Sequence, residues 1–248
     1  VTALDTLSPD AIAARLSGSP EERAAFVREA AEAGVAEAQA VYGQMLLDGT
    51  GVAADPAAAM ACFVKAAAQH HVMALNMVGR CYDLGWGTPV DRARAAECYR
   101  VAAARGLDWA MYNYATLLAL GDGVPEDRPA ALALLEKVAA MNTGLASAKA
   151  INFVGSFAED GWACPRDLAR AAACYASAAE GGDFRGCFNH ARMLGAAGEI
   201  DAALGWLEQA GARGNAAFVT KAQAFLAASD IAAFRTRGVA ALREGAQC

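Results

Sequence analysis

Apolar side chains recur along this chain at helical intervals. One, four, seven and eight residues after Ala74 stand Leu75, Val78, Cys81 and Tyr82, a single stripe on a 3.6-residue helix. The same offsets from Ala38, Ala110, Ala150 and Gly186 are again nearly all apolar. Gly-rich segments break the pattern and a second helical stretch follows each. The periodicity predicts a short helix over 9–16 and a second over 20–33. It then predicts pairs over 35–48 with 56–69, 71–84 with 92–105, 107–120 with 128–141, 146–159 with 168–180, and 184–197 with 200–212. Helices over 215–228 and 231–243 close the chain.

The connecting segments align with one another. Asp48-Gly49-Thr50-Gly51-Val52-Ala53-Ala54-Asp55 matches Leu84-Gly85-Trp86-Gly87-Thr88-Pro89-Val90-Asp91. It also matches the segments ending at Asp127 and Asp167, and the four closing aspartates are 36, 36 and 40 residues apart. Four residues after each comes Ala59, Ala95, Ala131 or Ala171. Seven after comes Cys62, Cys98, Leu134 or Cys174, followed by Phe63, Tyr99, Leu135 or Tyr175. Each unit therefore reads as helix, glycine loop, helix. The glycine lets the first helix stop at positive φ, and the Asp caps the second helix. Small residues at Gly43, Gly79, Ala115, Gly155 and Ala191 let the two helices approach closely. One pair cannot bury its apolar faces alone, so the pairs must stack.

This pattern resembles the Sel-1-like repeat family, a relative of the tetratricopeptide repeats; Ala38 to Ala68 match the family's unit nearly throughout. The resemblance runs from Ser19 to Gly214. It departs at the family's tryptophan slot, held here by Cys62, Cys98, Leu134 and Cys174, with only Trp206 restoring it. His70 replaces a helix-ending glycine, extra residues fall near Asn142 to Ser147, and the fifth loop, Gly195 to Glu199, is short. The resemblance implies an all-α, right-handed superhelical α-solenoid of stacked antiparallel helix pairs in a single domain. Residues 1–33 would form a cap and partial repeat, 34–214 five repeats, and 215–248 capping helices with a degenerate, solvent-facing pattern. It also implies that the first helix of each pair lines a concave protein-binding face.

Composition narrows the function. Of 248 residues, 56% are hydrophobic, enough for a buried core. A net charge of -6, from 21 basic and 27 acidic residues well interspersed, lacks the basic footprint of nucleic-acid binding. No apolar run is long enough for membrane insertion. Val1 to Pro9 shows no leader pattern. The expected location is cytoplasmic, with periplasmic or secreted, after loss of a leader, as the alternative.

Two, six and nine residues into each first helix the apolar pattern yields to polar side chains such as Asn76, Arg80, Asp83, Asn152 and Glu159. From this stripe and its flank we take Asn76, Arg80, Tyr112, Asn113, Asn152, Phe188, Asn189 and Arg192 as candidate groove residues for a protein or peptide partner. Asn amides can pair both backbone groups of an extended ligand, Tyr112 and Phe188 can hold apolar side chains, and Arg80 and Arg192 a carboxylate. The bland alternative is a solvated helix face. Trp86 and Trp162 share one loop position and are either exposed contacts or covers of the helix-pair edge.

Six of the seven cysteines occupy apolar columns, so they are expected as free thiols. In a disulfide-stapled branch of the family, the partner of Cys187 would stand eight residues earlier, where this chain has Ala179. His70, His71 and His190 show no ligand spacing, and no phosphate loop or nucleophile–base motif is present, so neither a metal, a cofactor nor catalysis is expected. The resulting expectation is a non-catalytic scaffold or adaptor. The alternatives are an inhibitor or immunity-type protein that plugs one partner, or a β-lactam-binding or weakly hydrolytic protein as in that cysteine-rich branch.

Overall fold

The computed structural model describes residues 8–247. Cys248, expected as a terminal thiol, lies outside them. The chain falls into two compact units, Val1–Glu126 and Asp127–Cys248. The first contains α1 (Pro9–Leu16), α2 (Pro20–Glu32), α3 (Ala36–Asp48), α4 (Pro56–Ala68), α5 (Val72–Leu84), α6 (Arg92–Ala104) and α7 (Asp108–Leu120). The second contains α8 (Arg128–Met141), α9 (Leu145–Asp160), α10 (Leu168–Glu180), α11 (Phe184–Ala196), α12 (Ile200–Arg213), α13 (Ala216–Ala227) and α14 (Val239–Gly245). Within the first unit each helix packs on the next; the second does likewise from α8 to α12, where α14 docks on α12. Among the described residues all regular structure is helical. Up to α13, every expected helix is present with ends within two residues of the expected ones.

The repeat's punctuation explains this agreement. Gly49, Gly85, Gly121 and Gly161 end their helices at φ between 66° and 74°, and each N–H bonds back into the last turn. Asp55, Asp91, Asp127 and Asp167 cap α4, α6, α8 and α10 by accepting a backbone N–H. Each such cap is worth about 1 kcal/mol. In three of the loops the aspartate's own N–H returns to the preceding helix, Asp55 to the carbonyl of Leu46 at 2.9 Å, Asp91 to Tyr82 at 2.9 Å and Asp167 to Ala158 at 2.8 Å. One residue thus ties the loop to both of its helices.

Close approach explains the small-residue column. A Cβ on Gly43 would lie 2.7 Å from Phe63, on Gly79 2.7 Å from Tyr99, and on Gly155 2.8 Å from Tyr175. These aromatic rings lie flush on the glycines and are almost wholly buried. In the first unit the second loop glycine seats against the start of an earlier helix: a Cβ on Gly87 would meet the Pro56 carbonyl oxygen at 2.2 Å, and one on Gly123 would meet Arg92 at 2.4 Å. In the second unit that column holds Ala163, exposed, at φ 56°.

Three departures have physical causes. His70 and Asn142 take positive φ, 66° and 51°, where glycine would be unstrained. The helix expected over 231–243 is instead a π-turn, Phe234–Gly238, running into α14. The wider turn accompanies the insertion of Phe234 against Gly195, where a Cβ would be 2.2 Å from the ring. The closing segment buries one face and exposes the other: Leu226, Phe234 and Leu242 are fully buried with Leu207 in one apolar cluster, while most of α13 is exposed.

Candidate functional site

The first helices place the candidate groove residues in a repeating register. In the first unit Asn113 donates its amide N–H to the Asn76 side-chain carbonyl at 3.1 Å; in the second, Asn189 does the same to Asn152 at 2.9 Å. Both pairs are 37 residues apart. Phe188 and Phe225 repeat the separation with an aromatic pair at 5.6 Å. One contact between successive first helices therefore serves amides twice and rings once.

That register redistributes the expected roles. Asn76 and Asn152 are 2% and 7% exposed, so they support Asn113 and Asn189 rather than face solvent. Phe188 is buried beneath Phe218 and Phe225 and is a core residue. Arg192 is engaged within its own unit. Its Nη1 and Nη2 donate to Glu159 Oε1 and Oε2 at 3.2 and 2.9 Å, and its Nε and Nη2 to Asn189 Oδ1 at 3.3 and 3.1 Å. Tyr175 adds a hydroxyl donor to Glu159 at 2.6 Å. Burial opposes ionisation of Glu159, but the hydrogen bonds from Arg192 and Tyr175 outweigh it and hold the carboxyl below its ordinary range.

The first unit leaves its counterparts open. Among the described residues, Arg80, in the column of Arg192, has the Met77 sulfur at 3.8 Å and the face of Trp86, whose centre is 4.7 Å from the guanidinium carbon, and no carboxylate. Asn113 is half-buried; among the described residues its carbonyl has no donor. Tyr112 lies beside it, also half-buried. Asp83, at the position of Glu159, is approached by Arg92 and by the Tyr99 hydroxyl, both at 3.4 Å. Sequence reasoning placed Glu159 and Asp83 in the stripe without giving them a role. The available signal was the 33-residue spacing that joins Glu159 to Arg192.

Trp86 and Trp162 cover helix-pair edges. Trp86 packs on the cluster of Phe63 and Cys81. Trp162 meets Phe157 edge-on at 5.7 Å and carries the Arg128 guanidinium on its face at 4.4 Å. The six described cysteines are unbridged; Cys81 and Cys187 are fully buried and the rest half-buried. Burial pushes the Cys81 thiol up to about 11 and raises Cys62, Cys98, Cys174 and Cys187 as well, the reverse of an activated nucleophile. Among the described residues no His, Cys, Asp or Glu cluster could hold a metal ion, and no helix is long and apolar enough to cross a membrane.

The chain is similar to several solved repeat proteins. A Sel1 repeat protein from Oxalobacter formigenes shares 24% identity and superposes with a TM-score of 0.69, covering 92% of this chain and 90% of that one. A protective antigen of uropathogenic Escherichia coli displaying an SLR fold shares 24% identity at a TM-score of 0.66, over 99% of this chain and 54% of that one. An immunity protein from Pseudomonas aeruginosa shares 14% identity at 0.58, over 86% and 80%. At these identities the likeness speaks for the fold. No curated protein matches the chain. The helix, glycine loop, aspartate cap and helix recur in the first four repeats, and the Sel1 repeat model matches residues 36–71, 72–107, 110–142, 148–183 and 187–215, more than half of the sequence; the chain belongs to the Sel1 repeat family.

Proposed function

We propose that this protein is a non-catalytic binding module that takes a segment of a partner protein on the first-helix face of its first unit. Sel1 repeats typically mediate protein–protein interaction. The observation that carries the finer reading is the Asn113 amide. Asn76, buried behind it, fixes its orientation, while its carbonyl and second N–H remain available to a ligand backbone. A polar group held in place before binding loses little conformational entropy on binding. Tyr112 and Arg80 flank it on the same face. The amides and arginine of the second unit are already joined to one another, which makes the first unit the stronger candidate.

The test is capture from native lysate on immobilised protein. Tyr112→Ala with Asn113→Ala should remove the captured partner, each hot-spot truncation being worth about 2 kcal/mol, while helicity stays near wild type and melting falls modestly as the buried Asn76 carbonyl loses its donor. Lys137→Ala, an exposed side chain on α8, should capture as wild type. Undiminished capture by the double variant would refute this face as the contact. Asn152 is a poor probe, because it is buried behind Asn189 and its truncation acts on the fold rather than on a ligand.

A further inference from the structure

We propose that Arg80, stacked on Trp86, is the anchor by which the first unit holds a glutamate or aspartate side chain of its protein partner. This inference rests on the first-helix reading above and names the partner chemistry at that face.

The second unit supplies the template. Arg192 and Glu159 are 33 residues apart and form a two-pronged ion pair between successive first helices. Arg80 occupies the same column as Arg192, six residues after the small residue that opens its helix. Thirty-three residues before Arg80 stands Leu47 (80 − 47 = 33), so the carboxylate that completes the pair in the second unit is replaced by a hydrocarbon in the first. Among the described residues, Arg80 forms no salt bridge; its contacts are a thioether sulfur and an indole face. Methionine sulfur is a weak acceptor, and an indole face attracts the cation without using its N–H groups. Asp83, the nearest acid in sequence, already has Arg92 and Tyr99.

Stacking also prepares the group. The indole face lies 4.7 Å from the guanidinium carbon and partly desolvates the cation, whose N–H groups suit a planar, two-oxygen acceptor. A single arginine in a chain of net charge -6 does not suit a polyanion such as nucleic acid, which needs several cations along its length. It suits one carboxylate, delivered by a side chain as Glu159 delivers its own. Asn113, one first helix further on, is placed to take the backbone of the segment bearing that carboxylate.

Two experiments test this. In the first, Leu47→Glu restores the missing acid from within. A double-mutant cycle of Leu47→Glu with Arg80→Gln should show favourable coupling, at least a fivefold change in the folding equilibrium, screened by salt. Coupling of zero or opposite sign would mean that the Arg80 guanidinium does not receive a carboxylate there. In the second, the protein carries 5-fluorotryptophan, and the Trp86 resonance is assigned by Trp86→Phe. Titration with acetyl-Ala-Ala-Glu-Ala-Ala-amide should shift that resonance saturably. The response should weaken at least fivefold in Arg80→Gln and in Leu47→Glu, whose own carboxylate occupies the site; Trp162 should not move. The glutamine peptide amide should be inert. A glutamine peptide with a free C-terminal carboxylate that matched the glutamate peptide would overturn the side-chain assignment. An absent response, or one equal in Arg80→Gln, would overturn the anchor. If Tyr112→Ala with Asn113→Ala abolishes partner capture while Arg80→Gln captures fully, the binding face stands and the carboxylate anchor falls.

Discussion

Arg192 in the second unit and Arg80 in the first occupy the same column of the same repeat, yet their surroundings differ. Arg192 is held by Glu159 and Asn189 in a network that Tyr175 and Asn152 complete. Arg80 rests on Trp86, with no carboxylate partner among the described residues. An asparagine pair is common to both units, but the partners of the arginine differ: 33 positions earlier Glu159 stands against Leu47, and three positions earlier Asn189 stands against Met77. Changes in a few columns therefore convert a first-helix face from a closed, stabilising network into an open one. In a repeat protein this costs little elsewhere, because each pair contacts only its neighbours.

The contrast extends to the loops, and the largest predicted effect lies there. Gly87→Ala would drive a Cβ to 2.2 Å from the Pro56 carbonyl oxygen at φ 68°, and should cost on the order of 3 kcal/mol by denaturant melts. Ala163→Gly in the second unit should instead stabilise by about 0.5–1 kcal/mol, since Ala163 already sits at positive φ. If Gly87→Ala is tolerated, the two units seat their loops alike and the contrast fails.

Next is the ion-pair network. Glu159→Gln should lower stability by about 2 kcal/mol, between the values for exposed and buried pairs, as the side chains of Glu159 and Arg192 are 22% and 24% exposed. Because the Glu159 carboxyl is held below its unfolded value near 4.3, its contribution is fully present above about pH 5. It is lost as pH falls through the lower folded value, so the wild-type and variant stability curves should converge in acid. Asp83→Asn in the first unit should cost under about 1 kcal/mol, since Arg92 is half-exposed and the Tyr99 hydrogen bond is long at 3.4 Å. Equal losses from the two variants would erase the distinction between a closed and an open network.

A smaller gain is expected at the end of α4. His70→Gly should add about 1 kcal/mol by relieving a left-handed conformation, provided that His71 keeps its cap on α5. Asn142→Gly in the second unit should gain less, because asparagine tolerates that region. The smallest effect concerns the thiols. Reductant should leave the melting temperature unchanged in both units, and alkylation should reach Cys81 and Cys187 last. A mass decrease from disulfide formation in the native protein would contradict the unbridged arrangement.

The helices, their caps and their stops were legible because each depends on residues within a few positions. Asp55, Asp91, Asp127 and Asp167 bond an N–H three residues on, and the loop glycines act where they stand. The candidate site was legible only as a stripe. Its periodicity placed Asn76, Asn152 and Phe188 on the first-helix face but could not tell that the next first helix covers them. Arg128, in the first turn of α8, lies over Trp162, a contact that no local pattern announces.

What the sequence by itself determined is the repeat: which residues cap, which turn left-handed, and which stripe is apolar. These follow from local hydrogen bonding, allowed φ values and the 3.6-residue period. What only the tertiary structure decided is which polar residues on that stripe are consumed within the fold. Asn76 pairs with Asn113 and Glu159 with Arg192 because stacking brings residues 37 and 33 apart to within 3.3 Å. Those separations belong to the packing of one helix pair on the next, and no local rule of the chain contains them.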